Sequence, residues 1–144
     1  MTTAHLDAID RSVEKTYVWL KDLADELGVQ DQRHAFRVLR AFLHALRGRL
    51  SVDETAQLAA QLPIFIRGVF YEGWDPSRTP ERYRDLATFL DHIAQEANLA
   101  GETEASFAAT AAAKVLSRHV SAGETESVLH LLPDHVRALL QTEA

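Results

Sequence analysis

Laid on itself with an offset of 70 residues, the chain registers residues 17–70 over 87–140 without a gap. The identical pairs are Leu20/Leu90, Ala24/Ala94, Glu26/Glu96, Ala35/Ala105, Ala41/Ala111, Leu46/Leu116, Ser51/Ser121, Glu54/Glu124, Thr55/Thr125, Leu62/Leu132, Pro63/Pro133 and Arg67/Arg137. The densest stretch reads S-x-x-E-T-x6-L-P-x3-R in both copies. Such self-similarity restricts the fold to two copies of one supersecondary unit, each covering the apolar face of the other.

The unit is helical. Alanine and leucine dominate, and β-branched residues are scarce. Ile9, Val13, Leu20, Leu23, Ala24 and Leu27 recur at helical steps before Gly28, a C-terminal stop. Ala35, Val38, Leu39, Phe42, Ala45 and Leu46 repeat the pattern behind a cap at Asp31. Ser51 with Glu54, and Ser121 with Glu124, have capping-box spacing, and Pro63 and Pro133 suit the first turn of the next helix. Arg67 and Arg137 are placed to reach Glu54 and Glu124, or the end of the preceding helix. Gly73 to Thr79 reads as a loop, with Thr79 and Pro80 opening another helix that carries Tyr83, Leu86, Leu90, Ile93 and Ala97 on one face. Further helices are predicted over 102–119, 121–132 and 133–142. The expectation is therefore an all-α single domain, 1–144. It is built from two tandem four-helix repeats, about 10–71 and 80–142, joined by a loop at 72–79.

Composition narrows the function. The absence of cysteine excludes disulfide frameworks, Cys-ligated zinc, iron–sulfur clusters and thiol catalysis. The longest uncharged run, 55–66, is too short to cross a bilayer, so membrane insertion is not expected. The opening MTTAHLDAID has neither a basic region nor an apolar core, so no signal peptide is read and a cytoplasmic protein is expected. A net charge of −6 argues against general nucleic-acid binding. The charge is uneven, however. Residues 31–70 hold six arginines against Asp31, Asp53 and Glu54, whereas every other stretch is acidic.

Comparing the copies separates scaffold from candidate function: a feature shared by both is scaffold, and a feature of one half is a candidate. Arg33, Arg37, Arg40, His44 and Arg47 run along one helix face, and their counterparts are Thr103, Phe107, Thr110, Lys114 and Ser117. Such a stripe binds anions or an acidic helix, or is a solvated face. Arg47 and Arg49 flank Gly48 at the helix end, where cations suit the helix dipole or a ligand. Arg67 to Pro76 joins the repeats and presents Tyr71 and Trp74, the composition of an interaction hot spot or of a plug sealing the junction. The plug is the simpler reading.

No phosphate loop, G-x-G-x-x-G, G-x-S-x-G or H-E-x-x-H is present. Glu126, His130 and His135 are the nearest approach to a metal trio and read as a surface cluster; no metal or other cofactor is expected. A helix-turn-helix over 51–71 would offer Ile64, Phe65, Ile66 and Val69 to DNA, the wrong chemistry for reading bases.

Residues 46–76, LRGRLSVDETAQLAAQLPIFIRGVFYEGWDP, together with 121–140 and Trp19, resemble a family of small bacterial proteins known as domain of unknown function 2267. The resemblance implies a helical domain, bacterial and cytoplasmic, in stress-associated settings. It carries no activity and no catalytic residues. The expectation is a non-enzymatic interaction or adaptor module with an unknown, acidic protein partner. Its candidate surface is Arg33, Arg37, Arg40, His44, Arg47 and Arg49 with Arg67, Tyr71 and Trp74. The alternative is a small-anion or metabolite sensor using Arg47, Arg49 and Arg67 around a pocket at the repeat interface. Homodimerisation is expected if the repeats leave an apolar face uncovered.

Overall fold

In the computed structural model, which describes residues 6–141, several helices start or stop on a local chemical signal. Helix α1 (Asp7–Leu27) ends where Gly28 turns left-handed at φ 72° and returns its N–H to Ala24 and Asp25. Asp31 opens α2 (Gln32–Arg47) by accepting the Arg33 N–H at 2.9 Å. Ser51 and Glu54 form a complete capping box on α3 (Val52–Ala59). Pro63 precedes α4 (Ile64–Tyr71), and a single 3₁₀ turn (Pro76–Arg78) follows, held by Asp75. Then come α5 (Leu86–Ala97), α6 (Glu102–His119), α7 (Ala122–Leu131) and α8 (Asp134–Leu140). The fold is all-α, with no strand among the described residues. Helix starts at 32 and 102, 52 and 122, and 64 and 134 keep the 70-residue step.

The four long helices α1, α2, α5 and α6 pack on one another and hold most of the core. Their pairings match: α1 lies on α2 as α5 lies on α6, and α1 lies on α6 as α5 lies on α2. Helix α4 packs on α2 and α1, and α8 on α6 and α5. The first half fills its core with Leu39, Phe42, Leu43 and Phe70. The second uses Ala108, Ala109, Ala111 and Ala112 on α6. Burying each large side chain contributes about 1.5–3 kcal/mol, while a run of alanines lets helix axes approach closely.

Four expectations need correction. The fifth helix starts at Leu86, not at Thr79 or Pro80, so the second repeat does not begin at 80 as a helix. The Glu81 N–H donates to the Gly48 carbonyl at 2.6 Å, and Arg49 donates to the Glu81 carbonyl. These bonds hold 79–85 against the end of α2, and Asp85 becomes the first usable cap, bonding Thr88. Tyr83 therefore belongs to the linker, not to a helix face. Secondly, Glu124 does not close a second capping box, because Gln61 takes the Ser121 N–H at 2.8 Å and donates to the Ser121 hydroxyl at 3.1 Å. Thirdly, Arg67 and Arg137 do not reach Glu54 and Glu124. Arg67 caps the end of α3 through the Leu62 carbonyl (3.0 Å), and Arg137 pairs with Asp134 (2.7 Å). Fourthly, Ile9 and Val13 are exposed. Burial on α1 begins only at Thr16. The last helix ends at Leu140, and residue 142, with His5, lies outside the described residues.

Candidate functional site

The basic stripe of α2 divides into three parts. Arg33 and Arg37, nearest its start, are exposed, and their side chains have no ion pair or hydrogen bond among the described residues. One turn on, Arg40 Nε lies 2.8 Å from Glu72 and 3.9 Å from Glu96. His44 spans Glu96 through Nδ1 and the Val69 carbonyl through Nε2, each at 2.7 Å. Both partners are acceptors, so a ring carrying both protons satisfies both. Arg47, at the end of the helix, donates to the Phe70 (2.7 Å) and Glu72 (2.6 Å) carbonyls and so caps α4. Burial pulls its guanidinium below the usual arginine value, and Glu96, Glu72 and Glu81 oppose that shift.

Arg49 is buried at 8% exposure and lies 4.9 Å over the Tyr83 ring. Burial pushes the Tyr83 hydroxyl well above the usual phenol range. A Cβ added to Gly48 would meet the Glu81 carboxylate at 3.1 Å, so the linker is seated tightly on this turn. Tyr71 and Trp74 are half-buried, with ring centroids 5.4 Å apart, and the Trp74 indole N–H is shielded from solvent. Arg40, His44, Arg47, Arg49, Tyr71 and Trp74 thus gather along α2 and the junction, mostly holding backbone carbonyls and carboxylates. Arg67 is not among them. It lines a different cleft, beside α1, so Arg47, Arg49 and Arg67 do not converge on one pocket.

A feature the spacing did not single out involves Phe36, which lies on α2 one turn after the unpaired Arg33 and next to the unpaired Arg37 in sequence. Val13 and Tyr17 of α1, Phe36 of α2 and Phe65 of α4 line an apolar groove of about 300 Å³. Tyr17 is 58% exposed and Phe65 50%. The Phe36 and Phe65 rings lie 6.4 Å apart, and Ser12 fixes the start of α4 by accepting the Phe65 N–H at 2.9 Å. The repeat held the missing signal: Asp134 and His135 stand where the first half has Ile64 and Phe65. Apolar residues on one copy and polar residues on the other mark a face that the scaffold does not need.

Elsewhere, Glu126 and His130 approach to 3.8 Å on exposed α7, and no metal-holding group of three His, Asp or Glu is found among the described residues. Among the described residues, no helix is long and apolar enough to cross a membrane. These features define a small all-helical domain whose charged side chains largely brace the fold. Residues 16–139 match the family model described as uncharacterized conserved protein (DUF2267), and the chain belongs to that family. No curated protein matches it.

Proposed function

We propose that this domain is a non-enzymatic interaction module that docks an acidic amphipathic helix of a partner protein. The observation carrying this reading is the exposed groove of Val13, Tyr17, Phe36 and Phe65 beside the unpaired Arg33 and Arg37. Contiguous exposed apolar surface rimmed by polar groups is how helix-binding grooves look. Aromatic side chains supply the anchors, and free arginines at the rim select acidic partners and speed their encounter. A bacterial, cytoplasmic, stress-associated setting for such an adaptor is part of this proposal.

The test is site-specific photo-crosslinking from position 65 in cells that make the protein, with the captured segment mapped and then synthesised as a peptide. An acidic segment with apolar residues at helical spacing is expected. Reversing both charges (Arg33→Glu with Arg37→Glu) should weaken that peptide about tenfold or more and flatten its salt dependence. A basic or non-helical segment, or affinity unchanged by the reversal, overturns the reading. So does a segment from a second copy of this chain, which would make the groove a self-association face.

A further inference from the structure

A second cleft, of about 610 Å³, lies between the start of α1, the turn joining α3 to α4, and the end of α6. Arg11, Lys15, Arg67 and His119 line it, with Gln61 and Trp19, and no aspartate or glutamate does among the described residues. In a chain of net charge −6, an acid-free cleft with this many basic groups is a local concentration of positive potential.

These charges have little internal compensation. Arg11 and Lys15, one turn apart on α1, have no ion pair or hydrogen bond among the described residues. Arg67 gives one nitrogen to the Leu62 and Ala60 carbonyls and meets no carboxylate among the described residues. Its counterpart Arg137 is neutralised by Asp134, but Ile64 stands at the matching place in the first half. His119 stacks on Trp19 with centroids 4.9 Å apart, and its Nε2 lies 3.1 Å from Asp22. Asp22 is shared with Arg118, whose Nη1 is 2.7 Å away. Seventy residues beyond Arg11 and Lys15 stand Glu81 and Asp85, so the cationic pair is particular to the first half.

We propose that this cleft binds a small molecule carrying a phosphate or pyrophosphate group. Its size suits a small ligand. Arginine forks and a mobile lysine ammonium are the groups that recognise a multiply charged oxyanion, and a monovalent carboxylate would leave much of this charge unmatched. The site is separate from the proposed docking groove.

Calorimetric titration of the full chain with pyrophosphate, and separately with inorganic phosphate and acetate, tests this. Pyrophosphate should bind tightest and acetate weakest, with affinity falling as salt rises. Replacing Arg11 and Lys15 together by glutamine should weaken pyrophosphate about tenfold or more. That variant should keep the wild-type Tm, because neither side chain holds the fold. Arg67→Lys, which keeps the charge but loses the remaining Nη1 donors of the guanidinium, should weaken binding by a smaller factor. Arg33→Gln with Arg37→Gln should leave it unchanged. Absence of pyrophosphate binding at millimolar concentration, equal affinity for acetate, or an equal loss in the Arg33/Arg37 variant overturns the proposal.

Discussion

The two halves share a sequence pattern and differ in what fills it. In the first, Leu43 and Phe70 are fully buried. Their counterparts are Ala113 and Leu140, and beside them lies an open cleft of about 620 Å³ that also takes in Phe42, Leu46 and Leu58. Polar chemistry differs in the same way. Glu54 closes its capping box, whereas Glu124 is left beside a cap that Gln61 has bonded from the other half. Identical residues at equivalent places therefore acquire different partners where their neighbours differ: Gln61 bonds Ser121, and its own counterpart is Leu131. The basic groups proposed to bind, and the apolar residues proposed to dock, all come from places where the halves disagree, apart from His119 of the second half and Arg67, whose copy has a carboxylate partner.

The sharpest test of that asymmetry is in the core. Phe42→Ala should cost about 3–5 kcal/mol in chemical denaturation, because a fully buried ring leaves a cavity. Ala112→Phe, at the counterpart position, should destabilise by about 1–3 kcal/mol through overpacking of a fully buried site. A stabilising Ala112→Phe would mean that the second half is merely underfilled, and the contrast would fail.

A smaller effect is expected at the left-handed helix ends. Gly28 (φ 72°) and Asn98 (φ 57°) terminate α1 and α5 at positions 70 apart. Gly28→Ala should cost about 1 kcal/mol, since a Cβ disfavours that backbone region. Asn98→Gly should be neutral or stabilising by a few tenths of a kcal/mol. Opposite signs in Tm would show that the two ends serve one geometry with unequal residues.

The smallest effect concerns Glu124. Burial raises its carboxyl above the ordinary carboxylate value, so the folded state holds the proton more tightly than the unfolded chain does. The ionised form is thus a cost that appears as pH rises through the raised value and is absent below the ordinary one. Glu124→Gln should therefore raise Tm slightly at neutral pH, and the gain should vanish in acid. Glu54→Gln should give no such gain, because the Glu54 carboxylate accepts the Ser51 N–H at 3.0 Å. Matching pH profiles for the two variants would erase the distinction.

The sequence by itself determined most of the helices, their caps at Asp31, Ser51 and Ser121, the stop at Gly28, and the all-α class. These follow from interactions within a few residues, so local spacing is enough to see them. Repetition also determined that residues 51–67 and 121–137 carry one pattern. Tertiary structure alone decided the rest. The linker at 79–85 stays off a helix because distant Gly48 and Arg49 bond Glu81. Most of the basic stripe is consumed by Glu72, Glu96 and the carbonyl end of α4, none of which is near it in sequence. Arg11 and Lys15 meet Arg67 only because α4 packs on α1. Periodicity assigns a residue to a face of its own helix. Whether that face is covered depends on where the neighbouring helices end, and this is why Val13 and Tyr17 lie open to solvent while Leu20, further along the same face, is buried.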